Sequence, residues 1–283
     1  MRTIKILWLL TSAVSLSVSL NAQSQTRGAV NHAVGSVATG TDVQPHDVVF
    51  AGDNVFPQVV DGAGWKTTFK LVNLENHTVS FTLSFFDDDG FRLSLPILDS
   101  AVINGGFYTS IAFTLVPASS ITIETDGSAL GLAQGWALMQ RTNATDSIGG
   151  FAIFRFRAPG IPDQEAVVPI VNQFSGHFVL LFDNTSFFVS GIAIANPSGS
   201  TVSIPVFIRD ETGQIIDQQF IALDPFAHTA FVAPDRWPST VGRAGAIEFL
   251  TSGFGVGALG LRFNGYAFTS FPILTNLSWL PTQ

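Results

Sequence analysis

Residues 66–90 read KTTFKLVNLENHTVSFTLSFFDDDG, and residues 189–213 read VSGIAIANPSGSTVSIPVFIRDETG. Laid over one another at a constant offset of 123, the two segments agree at their apolar and turn positions. Phe69 and Leu71 meet Ile192 and Ile194, and Asn73 meets Asn196. Phe81, Leu83 and Phe85 meet Ile204, Val206 and Ile208, and Asp87 and Gly90 meet Asp210 and Gly213. In both segments every second residue is apolar, the period of a strand buried on one face. Further along, Phe154-Arg155-Phe156 matches Leu261-Arg262-Phe263 at an offset of 107, and Val48-Val49 matches Val167-Val168. Short runs of Val, Ile, Phe and Thr are separated by Gly, Pro, Asn and Asp, and no window carries a helical stripe. The expected fold is all-β: two tandem immunoglobulin-like β-sandwich domains related by an internal repeat, each of about seven strands. The first is expected over 47–158 and the second over 164–275. The Pro/Gly-rich stretch 159–163 should act as a hinge, and 276–283 as a C-terminal tail. Pro205, where the first copy has Thr82, predicts an edge strand.

Arg2 and Lys5 precede an apolar stretch, Ile6–Leu20, and then Asn21-Ala22. This is the order of a secretory signal peptide, expected over 1–22. The stretch is short of the roughly 20 apolar residues that span a bilayer, and Gly, Pro, Asn or Asp interrupt every later apolar run. No transmembrane segment is therefore expected after cleavage. Residues 23–46 are small and polar and read as a flexible leader. The chain has no cysteine, so export would not be accompanied by disulfides. The formal charge of −8 becomes −10 without residues 1–22, which hold two basic and no acidic side chains. Without a basic cluster, nucleic acid is not an expected partner.

Several motifs carry chemistry elsewhere. Asp87-Asp88-Asp89-Gly90 and Asp210-Glu211-Thr212-Gly213 resemble acidic turns that bind calcium, which makes Asp87, Asp89 and Asp210 weak metal candidates. A full twelve-residue loop would need a carboxylate at 98, which is Leu98. The simpler reading is a turn with glycine in a left-handed conformation. Gly255–Gly260 fits G-x-G-x-x-G, but alternation continues through Leu259, Leu261 and Phe263 where a nucleotide fold needs a helix. His77, His177 and His228 could serve a hydrolase, yet no G-x-S-x-G elbow accompanies them. No catalytic residue and no cofactor is assigned. Trp136 and Trp237 are the candidate ligand-binding residues, because exposed indoles stack on sugar rings. Trp65 has Phe188 as its match, whereas Trp136 aligns near Ala246 and Trp237 has no counterpart.

The runs FPQVVDG (56–62), GWKTTF (64–69) and LVN (71–73) resemble a family of exported bacterial proteins of uncharacterised function. So do DQEAVVP (163–169), PDR (234–236) and GLRF (260–263). The likeness spans about residues 48–273. It implies a β-rich envelope or secreted protein with paired units, and it carries no assigned chemistry.

Together these readings predict a non-enzymatic protein that is secreted, periplasmic or on the cell surface. Its partner would be a protein or polysaccharide of the envelope or extracellular matrix, bound for adhesion or scaffolding. A carbohydrate-binding module is the alternative. A secreted hydrolase and an outer-membrane β-barrel fit less well, the barrel because tyrosine for aromatic girdles is scarce.

Overall fold

The structure is a computed structural model, and it describes residues 54–275 apart from 101, 102, 173 and 252–254. The expected signal, leader and tail, with Val48-Val49, lie outside the described residues. The chain is nearly all β. The first half contains β1 (Asn54–Asp61), β2 (Trp65–Asn73), β3 (Val79–Asp87), β4 (Leu95–Ile97), β5 (Gly106–Tyr108), β6 (Ser110–Leu115), β7 (Ser120–Glu124), β8 (Ala133–Arg141), β9 (Ile148–Phe156) and β10 (Gln164–Pro169). The second contains β11 (His177–Asp183), β12 (Phe188–Ala195), β13 (Val202–Asp210), β14 (Ile215–Leu223), β15 (His228–Val232), β16 (Ala244–Leu250), β17 (Gly257–Asn264) and β18 (Ala267–Phe271). One helical turn, α1 (Ala233–Arg236), follows β15.

In the first half, β1-β8-β3-β6 forms one four-stranded sheet and β10-β9-β2-β7 the other, with β4-β5 as a small separate ladder. In the second half the sheets are β11-β16-β13-β14 and β18-β17-β12-β15, the same order place for place. Each half is a sandwich of two four-stranded sheets. Phe56 meets Phe69 edge-on at 5.0 Å across the first core, and Phe69 lies 6.0 Å from Phe85. All three are fully buried, and burial contributes roughly 1.5–3 kcal/mol per such side chain. The alternating positions Phe81, Leu83 and Phe85, and likewise Ile204, Val206 and Ile208, face these cores.

Three local devices recur in the two halves. Asn73 Nδ2 donates to the carbonyls of His77, Leu115 and Val116, and Asn196 Nδ2 donates to those of Ser200, Leu223 and Asp224. The Thr67 hydroxyl bonds the backbone of Val60, and the Ser190 hydroxyl bonds that of Asp183. Gly135 lies opposite Asp87 and Gly245 opposite Asp210. A Cβ at Gly135 would stand 1.8 Å from the Phe86 carbonyl oxygen, and one at Gly245 2.0 Å from that of Arg209. Only glycine lets these backbones approach so closely.

The structure corrects three expectations. Residues 159–163 are not a hinge between the halves. They are the turn from β9 to β10, and β10 pairs along its length with β9 inside the first sandwich. Arg157 closes this turn on Asp163 with hydrogen bonds of 2.9 and 2.8 Å. Pro205 is not on an edge, since β13 runs between β16 and β14. It is tolerated because the ladder with β16 begins one residue later, at Val206.

The third correction concerns the match of Phe154-Arg155-Phe156 with Leu261-Arg262-Phe263. Phe154 lies opposite Thr67, but Arg262, not Leu261, lies opposite Ser190. A one-residue shift sends each side chain to the other face. Leu261 and Phe263 therefore turn out of the second sandwich and pack on the first, together with Ala193, Leu259 and Phe268. The sequence match misses this because both faces of β17 are covered.

The seam continues at the Asp87–Gly90 turn. The Asp88 carbonyl accepts from the His228 amide at 3.0 Å, and Asp88 Oδ1 meets His228 Nδ1 at 2.7 Å. Gln134 Nε2 donates to the other carboxylate oxygen at 2.8 Å. Gly90, at φ +85°, presses against Pro225 so closely that a Cβ would reach the Pro225 oxygen at 2.4 Å. The acidic turn clasps one sandwich to the other.

Candidate functional site

The two tryptophans expected to stack on ligand lie inside the protein. Trp136 has no exposed surface. Its ring stacks on Phe86 at 4.8 Å, Phe86 stacks on Phe226 at 5.3 Å, and the indole N–H donates to the Phe226 carbonyl at 2.7 Å. Phe226 belongs to the second sandwich, so Trp136 is a seam residue. Trp237 follows α1 and is 1% exposed, edge-on to Phe231 at 4.9 Å in the second core. Neither offers a face to a sugar.

The metal candidates are turn residues. Asp87 Oδ1 accepts from the amides of Asp89 and Phe91 at 3.0 and 2.8 Å. Asp210 Oδ1 accepts from the Thr212 hydroxyl at 2.7 Å and from the amides of Thr212 and Gln214. The Thr212 hydroxyl leads the contacts that hold the Asp210 carboxyl below the ordinary carboxylate range. Asp87 and Asp89 stand in one sandwich and Asp210 in the other. Among the described residues no three His, Cys, Asp or Glu side chains are placed to hold an ion.

The site the structure does offer follows from comparing the outer faces of two sheets. On the first sandwich, Val55, Phe86, Trp136 and Leu138 form a cluster covered by Val171, Phe174, Ala195 and Phe226. With Gly135 set on Gly245, the second sandwich has Val179 for Val55, Arg209 for Phe86, Ala246 for Trp136 and Glu248 for Leu138. Even the flanking bridge corresponds: Val171 exchanges two backbone hydrogen bonds with Val55, and Leu274 exchanges two with Val179. The first face is closed by the seam. On the second, Val179 and Glu248 are also buried, but a trough lies beside Ala246.

Ala244-Gly245-Ala246 on β16 gives this second face a floor without side chains of any length. Leu181 lies opposite Ala246 on one side and Arg209 on the other, and Asp183 lies opposite Ala244. The result is a trough of about 910 Å³. Leu181, Phe271 and Leu274 form an apolar wall, and Leu181 is 56% exposed.

The polar groups of the trough are held in place. Arg262 donates to Asp183 Oδ2 at 2.8 Å, with its guanidinium 3.4 Å from the Phe188 ring centre. The Thr185 hydroxyl first, and Arg262 second, hold the Asp183 carboxyl below the ordinary range. Arg209 donates through Nε and Nη2 to Glu248 Oε2 at 3.1 and 2.9 Å. Glu248, 2% exposed, also meets His177 Nε2 at 2.9 Å through Oε1. A buried carboxylate needs such partners. The Ser175 hydroxyl is turned to the backbone carbonyl of His177, not to the ring. The arrangement presents fixed hydrogen-bonding groups beside an apolar wall, the composition of a recognition site. No single motif marked it in sequence. The available signal was the mismatch of Trp136 with Ala246.

No family model matches the sequence, and no curated protein matches it. Among solved structures, a glycosyl hydrolase family 2 member from Bacteroides cellulosilyticus DSM 14838 is similar over 74% of this chain at 12% identity, with a TM-score of 0.17. The similarity takes in 28% of that structure's chain.

Proposed function

We propose that the protein is an exported, non-catalytic β-sandwich protein that binds an envelope or extracellular partner through the trough between β11, β16 and β13. The observation that carries this reading is the contrast between two corresponding faces. The first face takes a protein loop, Pro225-Phe226-Ala227, against Trp136. The second has Ala246 in place of that tryptophan and leaves its groove open. A face of this geometry is suited to a protein segment, which favours a protein partner over a polysaccharide. The carbohydrate reading also loses its stacking residues, because Trp136 and Trp237 are buried.

The test is to fill the trough with the residue that the first face carries. Purified protein is sedimented with envelopes of the source cell and, separately, with insoluble polysaccharides. The unchanged protein should be retained on envelopes. The Ala246→Trp variant should lose retention at least about tenfold, the effect of roughly 1.4 kcal/mol at an interface centre. Its melting temperature should stay within a degree or two, since Ala246 lies at an open face. Equal retention of the variant would overturn the reading, and retention on a polysaccharide alone would transfer it to a carbohydrate-binding module.

A further inference from the structure

The seam is built from a turn of the second sandwich set into a socket of the first, and each sandwich carries both parts. The turn is 224–227, between β14 and β15. By strand order its counterpart is 116–119, between β6 and β7. The two stretches read LDPFAH (223–228) and LVPASS (115–120), with proline at the same place. The residue after that proline is left-handed in both, Phe226 at φ +59° and Ala118 at φ +56°, a backbone that residues other than glycine rarely adopt. The Ala227 amide donates to the Asp224 carbonyl at 3.0 Å, and the Ser119 amide to the Val116 carbonyl at 3.1 Å. The Asn196 and Asn73 amides tie the two turns down alike, donating to the carbonyls of Ala227 and Ser119 at 2.9 Å.

The sockets correspond as well. In the seam, Gly90 stands at φ +85° with the Pro225 oxygen where a Cβ would be. Gly213 stands at φ +84° with nothing within 4 Å of that position. The Asp88 carbonyl takes the His228 amide in the seam, and Glu211 and Ser120 hold the matching places. Ser120 offers an amide and a hydroxyl where His228 offers an amide and a ring nitrogen. Glu211 and Gly213 line the trough. The seam thus uses the socket of the first sandwich and the turn of the second. It leaves over the socket of the second and the turn of the first, where Val116, Pro117 and Ala118 are exposed. This spare turn carries no charge. The trough makes no demand for an acidic occupant, because its Arg209 and Arg262 are already paired to Glu248 and Asp183. Both spare parts lack the aromatic layer, with Ala118 for Phe226 and Ala246 for Trp136, so their contact should be weaker than the seam and reversible.

We infer that the trough receives the 116–119 turn of a second copy of this chain. The inference rests on the trough being a binding face, and it names the occupant. The contact joins two different surfaces, so every added copy leaves one turn and one socket free. Copies therefore join head to tail, into an open chain or into a ring if the rotation closes.

Sedimentation velocity of the purified protein from about 1 µM to about 1 mM, the range of a weak contact, tests this. The average sedimentation coefficient should rise with concentration and pass the value of a dimer. Gly213→Asn puts a side chain where the turn is to press, at a φ that asparagine tolerates and where the free socket has room. Ala118→Asp puts a charge on the turn, at a φ that aspartate tolerates. Each should weaken association at least about tenfold and leave the melting temperature unchanged. If one variant fails to fold, the other still reads its own side of the contact. The two variants mixed should form dimers and stop there, because each keeps one working part. A monomer at every concentration would overturn the inference. So would association that neither variant weakens, or a mixture of folded variants that stays monomeric. Envelope retention is read on the same protein. Monomeric protein that is retained, and that loses retention in Ala246→Trp, would give the trough a different occupant, overturning self-association and leaving the binding face.

Discussion

The Trp136→Ala variant is expected to lose about 3–5 kcal/mol of stability, the range for truncating a fully buried tryptophan. For a folded body of 150–250 residues this lowers the melting temperature by roughly 10 °C. Three contributions act in the same direction. The indole has no exposed surface, it is one layer of the Trp136–Phe86–Phe226 stack, and its N–H satisfies the Phe226 carbonyl. Because Phe226 lies across the seam, the loss should also uncouple the sandwiches. Calorimetry should show one transition for the unchanged protein and two for the variant. Trp237→Ala removes comparable apolar burial within the second core, so it should destabilise without splitting the transition. A loss below about 1 kcal/mol at Trp136, or a single transition at the lower temperature, would contradict the seam role.

Replacing Asn196 by alanine should cost about 2–4 kcal/mol. The side chain is fully buried, and its two N–H groups are shared among the carbonyls of Ser200, Leu223 and Asp224. Its Oδ1 accepts from the amide and hydroxyl of Ser198. Alanine leaves several of these groups buried without partners, each at about 1–3 kcal/mol before local relaxation. Asn73→Ala removes the corresponding bonds to His77, Leu115 and Val116 and should fall in the same range. Urea unfolding of the two variants measures this directly. A cost under about 0.5 kcal/mol at either position would mean that water replaces the asparagine there.

Strand alternation was legible in sequence where a strand has one buried face. Phe69 and Leu71, Phe81 to Phe85, Ile192 and Ile194, and Ile204 to Ile208 all point into a core. The Asn73–Asn196 correspondence was visible too, although not the carbonyls these side chains gather, one of which lies on a strand 42 residues away. Legibility failed where a second surface covers the outer face. Leu261 and Phe263 have the period of inward residues because the first sandwich buries them. Trp136 looked like a candidate for display because composition does not say which face of β8 is covered. The Pro/Gly turn at 159–163 carried the signal of a boundary, yet β10 returns to pair with β9. The trough is made by what Ala244, Gly245 and Ala246 lack, and small residues leave no motif. The Asp87–Gly90 turn was readable as a turn, but its clasp on His228 depends on a residue 140 positions away.

We propose that the outer face of β11, β16 and β13 receives a partner, whereas its counterpart on the first sandwich is used up by the seam. Hydrogen exchange of the protein bound to envelopes, compared with the free protein, separates the two faces. Protection should increase over residues 177–183, 204–211 and 244–250, and the face around Phe86, Trp136 and Leu138 should be unchanged. New protection confined to the first sandwich, with residues 244–250 unaltered, would contradict it.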